Sequence, residues 1–103
     1  ADVYALGAVL YELLTGRAPF RGAAHEVVAA AARGARPPAP RQLRSVPKDI
    51  DAVCRKAMEP DPADRYKGAG DLADDLGRWL GGHPVEARPV PAVERVFRGT
   101  QLR

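Results

Sequence analysis

Asp2-Val3-Tyr4-Ala5-Leu6-Gly7-Ala8-Val9-Leu10-Tyr11-Glu12-Leu13-Leu14-Thr15-Gly16-Arg17-Ala18-Pro19-Phe20 is the stretch on which the fold turns. Asp2 can cap a helix, because its carboxylate can accept the unpaired amides of a first turn. Leu6, Val9, Leu10, Leu13 and Leu14 then recur at helical spacing, and Val3, Ala5 and Ala8 fill other faces. A helix apolar nearly all round belongs inside a protein. Gly16 stands where a left-handed residue ends a helix. Gly7 costs about 1 kcal/mol of helix propensity relative to alanine, which is tolerated where two backbones approach closely. The apolar run from Val3 to Leu14 contains Glu12 and spans 12 residues. A membrane span needs about 20, so a buried helix is the better reading.

Working outward, Ala23 to Arg33 is alanine-rich and helical, closed by Gly34. Ala35 to Pro47 holds Pro37, Pro38, Pro40 and Pro47 and reads as mostly extended loop. Lys48 to Glu59 is the cleanest amphipathic helix, with Ile50, Val53, Cys54, Ala57 and Met58 along one face. Pro60 and Pro62 stop it. A last helix, about Ala69 to Leu80, is expected to bury Leu72, Leu76, Trp79 and Leu80, and Gly81 and Gly82 end it. Pro84, Pro89 and Pro91 keep the following chain extended, with a short amphipathic turn at Val93 to Arg98. Neither strand-like alternation nor an internal repeat is present. The expected architecture is all-α: four helices, a proline-rich loop and an extended basic tail.

The 103 residues suit one small domain, and 46% apolar with 28% charged residues is ordinary globular composition. The chain opens on Ala1 with a helical pattern starting at once, which reads as a fragment. No basic stretch precedes the apolar run, so no signal peptide is read. Cys54 is the single cysteine, which excludes an internal disulfide and fits a cytosolic setting. The net charge of +3 is unevenly spread. Arg33 to Lys48 carries five basic and no acidic residues, and Asp49 to Asp75 carries eight acidic and four basic. These blocks read as solvated faces, or as a contact surface for an acidic partner or membrane.

Catalytic constellations are absent by pattern. Gly68 and Gly70 lack the remaining glycines and the preceding strand of a phosphate loop. His25, His83 and Cys54 lack metal-ligand spacing. Ser45, the only serine, lies in the proline segment and supports no nucleophilic triad. Asp74 and Asp75, about 100° apart on a helix, read as a solvated face rather than an acid–base pair.

Two motifs nevertheless carry a family resemblance. Residues 2–20 resemble the central helix of protein-kinase large lobes, where the pattern D-x-[YW]-[SA]-x-G is followed by an apolar helix and T-G-x-x-P-F. Farther on, Asp61-Pro62-Ala63-Asp64-Arg65-Tyr66 resembles the family's D-P-x-x-R-[YP] motif. The end of the chain, Leu72 to Val90, is similar to the end of the kinase domain in certain bacterial serine/threonine kinases. The resemblance implies a partial kinase domain over residues 1–81 and a linker or juxtamembrane-like tail over 82–103. It implies that Asp2 holds the catalytic loop and that Arg65 pairs with the glutamate closing the activation segment. Leu6, Leu10 and Leu14 would lie along the helix on which the lobe is built, with Gly7 at a close approach.

The glycine-rich loop, the ATP lysine, the catalytic and metal-binding aspartates and the activation-segment glutamate have no counterpart here; each would lie before Ala1. The resemblance therefore implies a scaffold segment without cofactor, catalytic or metal residues of its own, inactive alone. ATP and magnesium would be bound by the intact parent, which transfers phosphate to protein hydroxyls. The implied partners are the rest of the same kinase and its protein substrates, with no nucleic acid. Its implied place is the cytoplasm, or the cytoplasmic face of a membrane tethered beyond the C-terminus. The alternative is a stand-alone helical interaction module using the basic loop and tail. A nucleic-acid version is disfavoured because the Arg33–Lys48 loop has no aromatic residue.

Overall fold

The computed structural model describes residues 2–20 and 22–88. Its elements are α1 (Val3–Thr15), α2 (Ala24–Ala32), α3 (Pro40–Leu43), α4 (Lys48–Ala57), a 3-10 turn (Pro62–Asp64) and α5 (Ala69–Leu80). No strand occurs among the described residues, so the all-α expectation holds. The expected turn at Val93–Arg98 lies outside them.

At the start of α1, Asp2 accepts the Tyr4 amide at 3.0 Å, the cap its sequence position implied. The helix ends at Gly16, with φ 77° and its amide 2.8 Å from the Glu12 carbonyl. The row that α1 buries is Val3, Gly7, Tyr11 and Thr15, four residues apart. A helix turns once every 3.6 residues, so such a row is one narrow stripe. Leu10 and Leu14 flank it and are half-buried, whereas Leu6, Val9 and Leu13 face outward at 37%, 57% and 79% exposure. The leucine stripe thus lies mostly beside the buried row rather than on it. The reason is Gly7: a Cβ there would meet Met58 Cγ at 2.7 Å and Ala57 Cβ at 2.8 Å. Bare backbone at Gly7 is what lets α1 cross directly over α4.

Helix α4 buries Ile50, Val53, Cys54, Ala57 and Met58, the whole face its periodicity predicted. Together with Val3, Tyr66, Leu72 and Val85 these side chains make most of the core. Helix α5 contributes Leu72, with Leu76 and Trp79 packed beside it. Leu80, expected to be buried, is 78% exposed. At about 100° per residue it stands some 80° away from Leu72 around the helix, at the last turn.

The proline segment differs from the extended loop expected of it, because Pro40 to Leu43 form one helical turn. Proline is tolerated at a first helical position, where its missing N–H is not needed. Gln42 Oε1 reaches back to the Ala39 amide at 2.7 Å, satisfying a second donor. The segment is tied down by Tyr11, whose hydroxyl donates to the Pro38 carbonyl at 2.6 Å, and by the Arg41 amide, which donates to Asp51 at 3.1 Å. Helix α2, by contrast, buries no residue.

Beyond α5 the chain turns back at Gly82, whose φ of 75° suits glycine, and the His83 amide bonds the Arg78 carbonyl at 2.8 Å. Val85, at 2% exposure, then enters the core. No helix among the described residues is long and apolar enough to cross a membrane.

Candidate functional site around Arg65

The segment Asp61–Tyr66 is a rigid bend. Asp61 caps its 3-10 turn by accepting the Ala63 amide at 2.9 Å. Arg65 follows in extended conformation, φ −80° and ψ 172°, donating its amide to the Pro62 carbonyl at 3.2 Å. Successive side chains of extended backbone point in opposite directions. Arg65 therefore reaches toward α1 while Tyr66 reaches toward α5.

The Arg65 guanidinium is pinned on two sides. Its Nε donates to the Glu59 carbonyl at 2.7 Å and its Nη2 to the Pro60 carbonyl at 3.2 Å. Its carbon centre lies 4.9 Å from the centroid of the Tyr4 ring, a cation–π distance. Burial lifts the Tyr4 phenol above its ordinary range, and the Arg65 charge partly opposes that rise. Among the described residues no partner takes Nη1, so one nitrogen of the fork stays available for a carboxylate.

Of the residues singled out by sequence, Asp2 and Arg65 come together at the N-terminal end of α1, joined through Tyr4. Gly7 sits at the crossing with α4. Leu10 and Leu14 pack against the core, while Leu6 points outward. The site thus splits into a polar end, an interior crossing and an open apolar flank.

Sequence reasoning missed a second cluster, directly behind Arg65. Asp75, read as part of a solvated face, is fully buried, and only Asp74 is exposed. Its carboxylate accepts from Tyr66 at 2.5 Å, Arg78 Nη1 at 2.9 Å, the Glu86 amide at 2.7 Å and the Ala87 amide at 3.0 Å. Burial pushes the Asp75 acid upward, but the bonds from Tyr66, Glu86, Ala87 and Arg78 outweigh it and hold it below the usual carboxylate range. Burial, followed by the bond to Asp75, raises the Tyr66 phenol far above its ordinary value. The signal for this cluster was available: Asp75 lies on the same face as Leu72, Leu76 and Trp79. An acid on an apolar face needs internal donors. Beyond Ala87, Arg88 adds an ion pair to Asp49 at 3.0 Å.

No protein-family profile matches the chain. Individual relatives do. The serine/threonine-protein kinase PknB of Mycobacterium tuberculosis is 42% identical over 94 residues, covering 87% of this chain and 14% of the relative. The probable PknB of Bifidobacterium longum is 39% identical over 97 residues, 91% of this chain and 14% of the relative. The kinase PrkC of Bacillus subtilis is 42% identical over 77 residues, 74% of this chain and 12% of the relative. The chain thus spans about one-seventh of the length of these relatives. With the two motifs at Asp2 and Arg65 on an all-α scaffold, this likeness identifies the chain as a member of the bacterial serine/threonine protein kinase family, corresponding to part of its helical large lobe.

Proposed function

We propose that this segment is the C-lobe scaffold of a protein kinase that moves the γ-phosphate of ATP onto serine or threonine hydroxyls of proteins. The observation that carries the reading is the Arg65 fork. It is held by two carbonyls and the Tyr4 face, with one nitrogen unpartnered among the described residues, beside the Asp2 cap. In this reading Asp2 anchors the catalytic loop and Arg65 receives the activation-segment glutamate. Both partners would belong to the part of the kinase preceding Ala1, as would the groups that bind ATP and magnesium. Phosphoryl transfer depends on positioning and charge stabilisation by those groups, so this segment alone has no means of catalysis. The likeness to PknB and PrkC supports the substrate class.

The division into a lobe segment, residues 1–81, and a linker, residues 82–103, belongs to the same proposal. The linker's first residues, to Arg88, lie against the lobe through Val85 and Asp75. A cytoplasmic place, with a membrane tether beyond the linker, follows the same reading.

The test is phosphate transfer from radiolabelled ATP with magnesium to a generic basic protein. The longer kinase should label it, and the 103-residue chain should stay at background. Transfer by the short chain, in a preparation free of other kinases, refutes the scaffold assignment. An inert full kinase refutes the activity.

A further inference from the structure

A cleft of about 420 Å³ opens between the proline segment and α4. This is within the size range of ligand pockets, about 300–1,000 Å³. One wall of it belongs to the Arg33–Lys48 block, which no part of the kinase reading uses. We propose that it docks an acidic segment of a partner protein, with a Glu or Asp carboxylate held at the arginine rim and an adjoining apolar side chain in the cleft.

The walls are rigid. Pro37, Pro38 and Pro40 form one side, and Tyr11, Cys54 and Met58 form the apolar floor. Tyr11 is bonded to the Pro38 carbonyl and Asp51 to the Arg41 amide, so the two sides are held at a set width. A cleft that is already formed avoids the ordering cost that weakens adaptable sites.

The charge selects the occupant. Arg36, Arg41 and Arg55 line the cleft against the single acid Asp51. Asp51 is 4% exposed and already engaged by the Arg41 amide and, at 3.6 Å, by Arg55. Arg36 is neutralised by Glu59 at 2.6 Å. Arg41 is exposed, and its guanidinium has no partner among the described residues. A planar guanidinium on a rigid rim suits a carboxylate, which it can grip with two parallel bonds.

Other anionic surfaces fit less well. Single-stranded nucleic acid needs exposed aromatic faces for its bases. The one aromatic side chain of the cleft, Tyr11, is 2% exposed with its hydroxyl occupied. An anionic membrane needs apolar anchors beside the basic residues. The exposed large apolar residues, Leu6, Val9, Leu13, Val28 and Leu80, do not line the cleft.

The experiment is a fluorescence-anisotropy titration of the full-length protein with a short labelled peptide of Glu and Leu residues. The Lys–Leu counterpart, a single-stranded oligonucleotide and phosphatidylserine vesicles serve as comparison arms. We expect the Glu–Leu peptide to bind, to weaken with added salt, and to lose about tenfold in affinity on Arg41→Glu, equivalent to about 1.4 kcal/mol. Arg33→Glu, in the same basic block but outside the cleft, should change affinity little. Arg41→Gln provides a milder variant should the charge reversal perturb folding, which circular dichroism reports. Absence of binding overturns the proposal. So does equal weakening by the Arg33 and Arg41 variants, which would mean diffuse attraction. Tighter binding of oligonucleotide or vesicle through Arg41 overturns it as well.

Discussion

Tyr66 donates its phenol to Oδ2 of Asp75 at 2.5 Å, closing a cluster in which one buried carboxylate joins α5, the Arg65 motif and the chain beyond Gly82. The two residues sit nine positions apart, yet they tie together elements that packing alone would leave free to slide. Because Arg65 is the neighbour of Tyr66, the same bond stiffens the platform on which the Arg65 fork stands.

Tyr66→Phe removes one bond to a charged acceptor and should cost about 1.5–3 kcal/mol. Asp75→Asn leaves all four donors facing a neutral amide and should cost more than Tyr66→Phe. Urea melts of the longer protein measure both, and hydrogen exchange at the Glu86 and Ala87 amides should accelerate in Asp75→Asn. The pH dependence has a defined sign. The Asp75 acid is depressed below its ordinary 3.8 in the fold, so its contribution is complete above that value and is lost as pH falls through the folded value. The Tyr66 phenol is raised above its ordinary 10.0, so its contribution is complete below pH 10 and fades as pH rises farther. Tyr66→Phe should flatten the alkaline slope and, because the Tyr66 bond is one of those that depress the Asp75 acid, also weaken the acid slope.

Cys54 should be inert in the fold. Burial, reinforced by the nearby Asp51 charge, pushes its thiol up to about 12, and its Sγ lies 3.6 Å from the Gly7 carbonyl. Only the thiolate reacts with disulfide reagents. We expect an aromatic disulfide reagent at pH 8 to label Cys54 only in urea; rapid labelling of the native protein would contradict its placement at the α1–α4 crossing.

Gly7→Ala tests that crossing from the other side. Alanine improves helix propensity by about 1 kcal/mol. Its methyl would sit 2.7 Å from Met58 Cγ and 2.8 Å from Ala57 Cβ. Overpacking of this kind costs about 1–3 kcal/mol. The net effect should be destabilising, and a raised melting temperature would show that the helices separate at no cost.

Arg65→Ala matters more here than an arginine on an open surface would. Even without an activation-segment glutamate, the change removes two bonds to backbone carbonyls and a cation–π contact with Tyr4. In the segment alone we therefore expect a loss of about 1–3 kcal/mol in stability. In the longer kinase we expect a further drop in turnover, which steady-state phosphorylation measures.

The outward face of α1 governs behaviour in isolation. Leu6, Val9 and Leu13 are exposed on one flank of a helix whose other flank is core. Each large apolar side chain left in water forgoes about 1.5–3 kcal/mol of burial. We expect the 103-residue chain to self-associate or precipitate. Val9→Gln with Leu13→Lys should reduce that association in sedimentation experiments. A monomeric wild-type chain with a cooperative melt would mean that the face needs no cover.

By itself the sequence determined the four longer helices and, to within a residue or two, their ends, though not the single turn at Pro40–Leu43. Asp2, Gly16 and the prolines after α4 act locally, through hydrogen bonds and torsions confined to a few neighbouring residues, and such effects can be read from composition and spacing. It also determined the buried face of α4, where apolar and charged residues alternate with a clear period. Only the tertiary structure decided the face of α1, because a helix apolar on nearly every side carries too little contrast to orient itself, and the choice fell to the one position without a side chain, Gly7. Only tertiary structure decided the role of Asp75 as well. A lone acid looks alike on a solvated face and at a buried hub until its donors are in place, and two of those donors are backbone amides, which every residue but proline carries and which no sequence pattern marks.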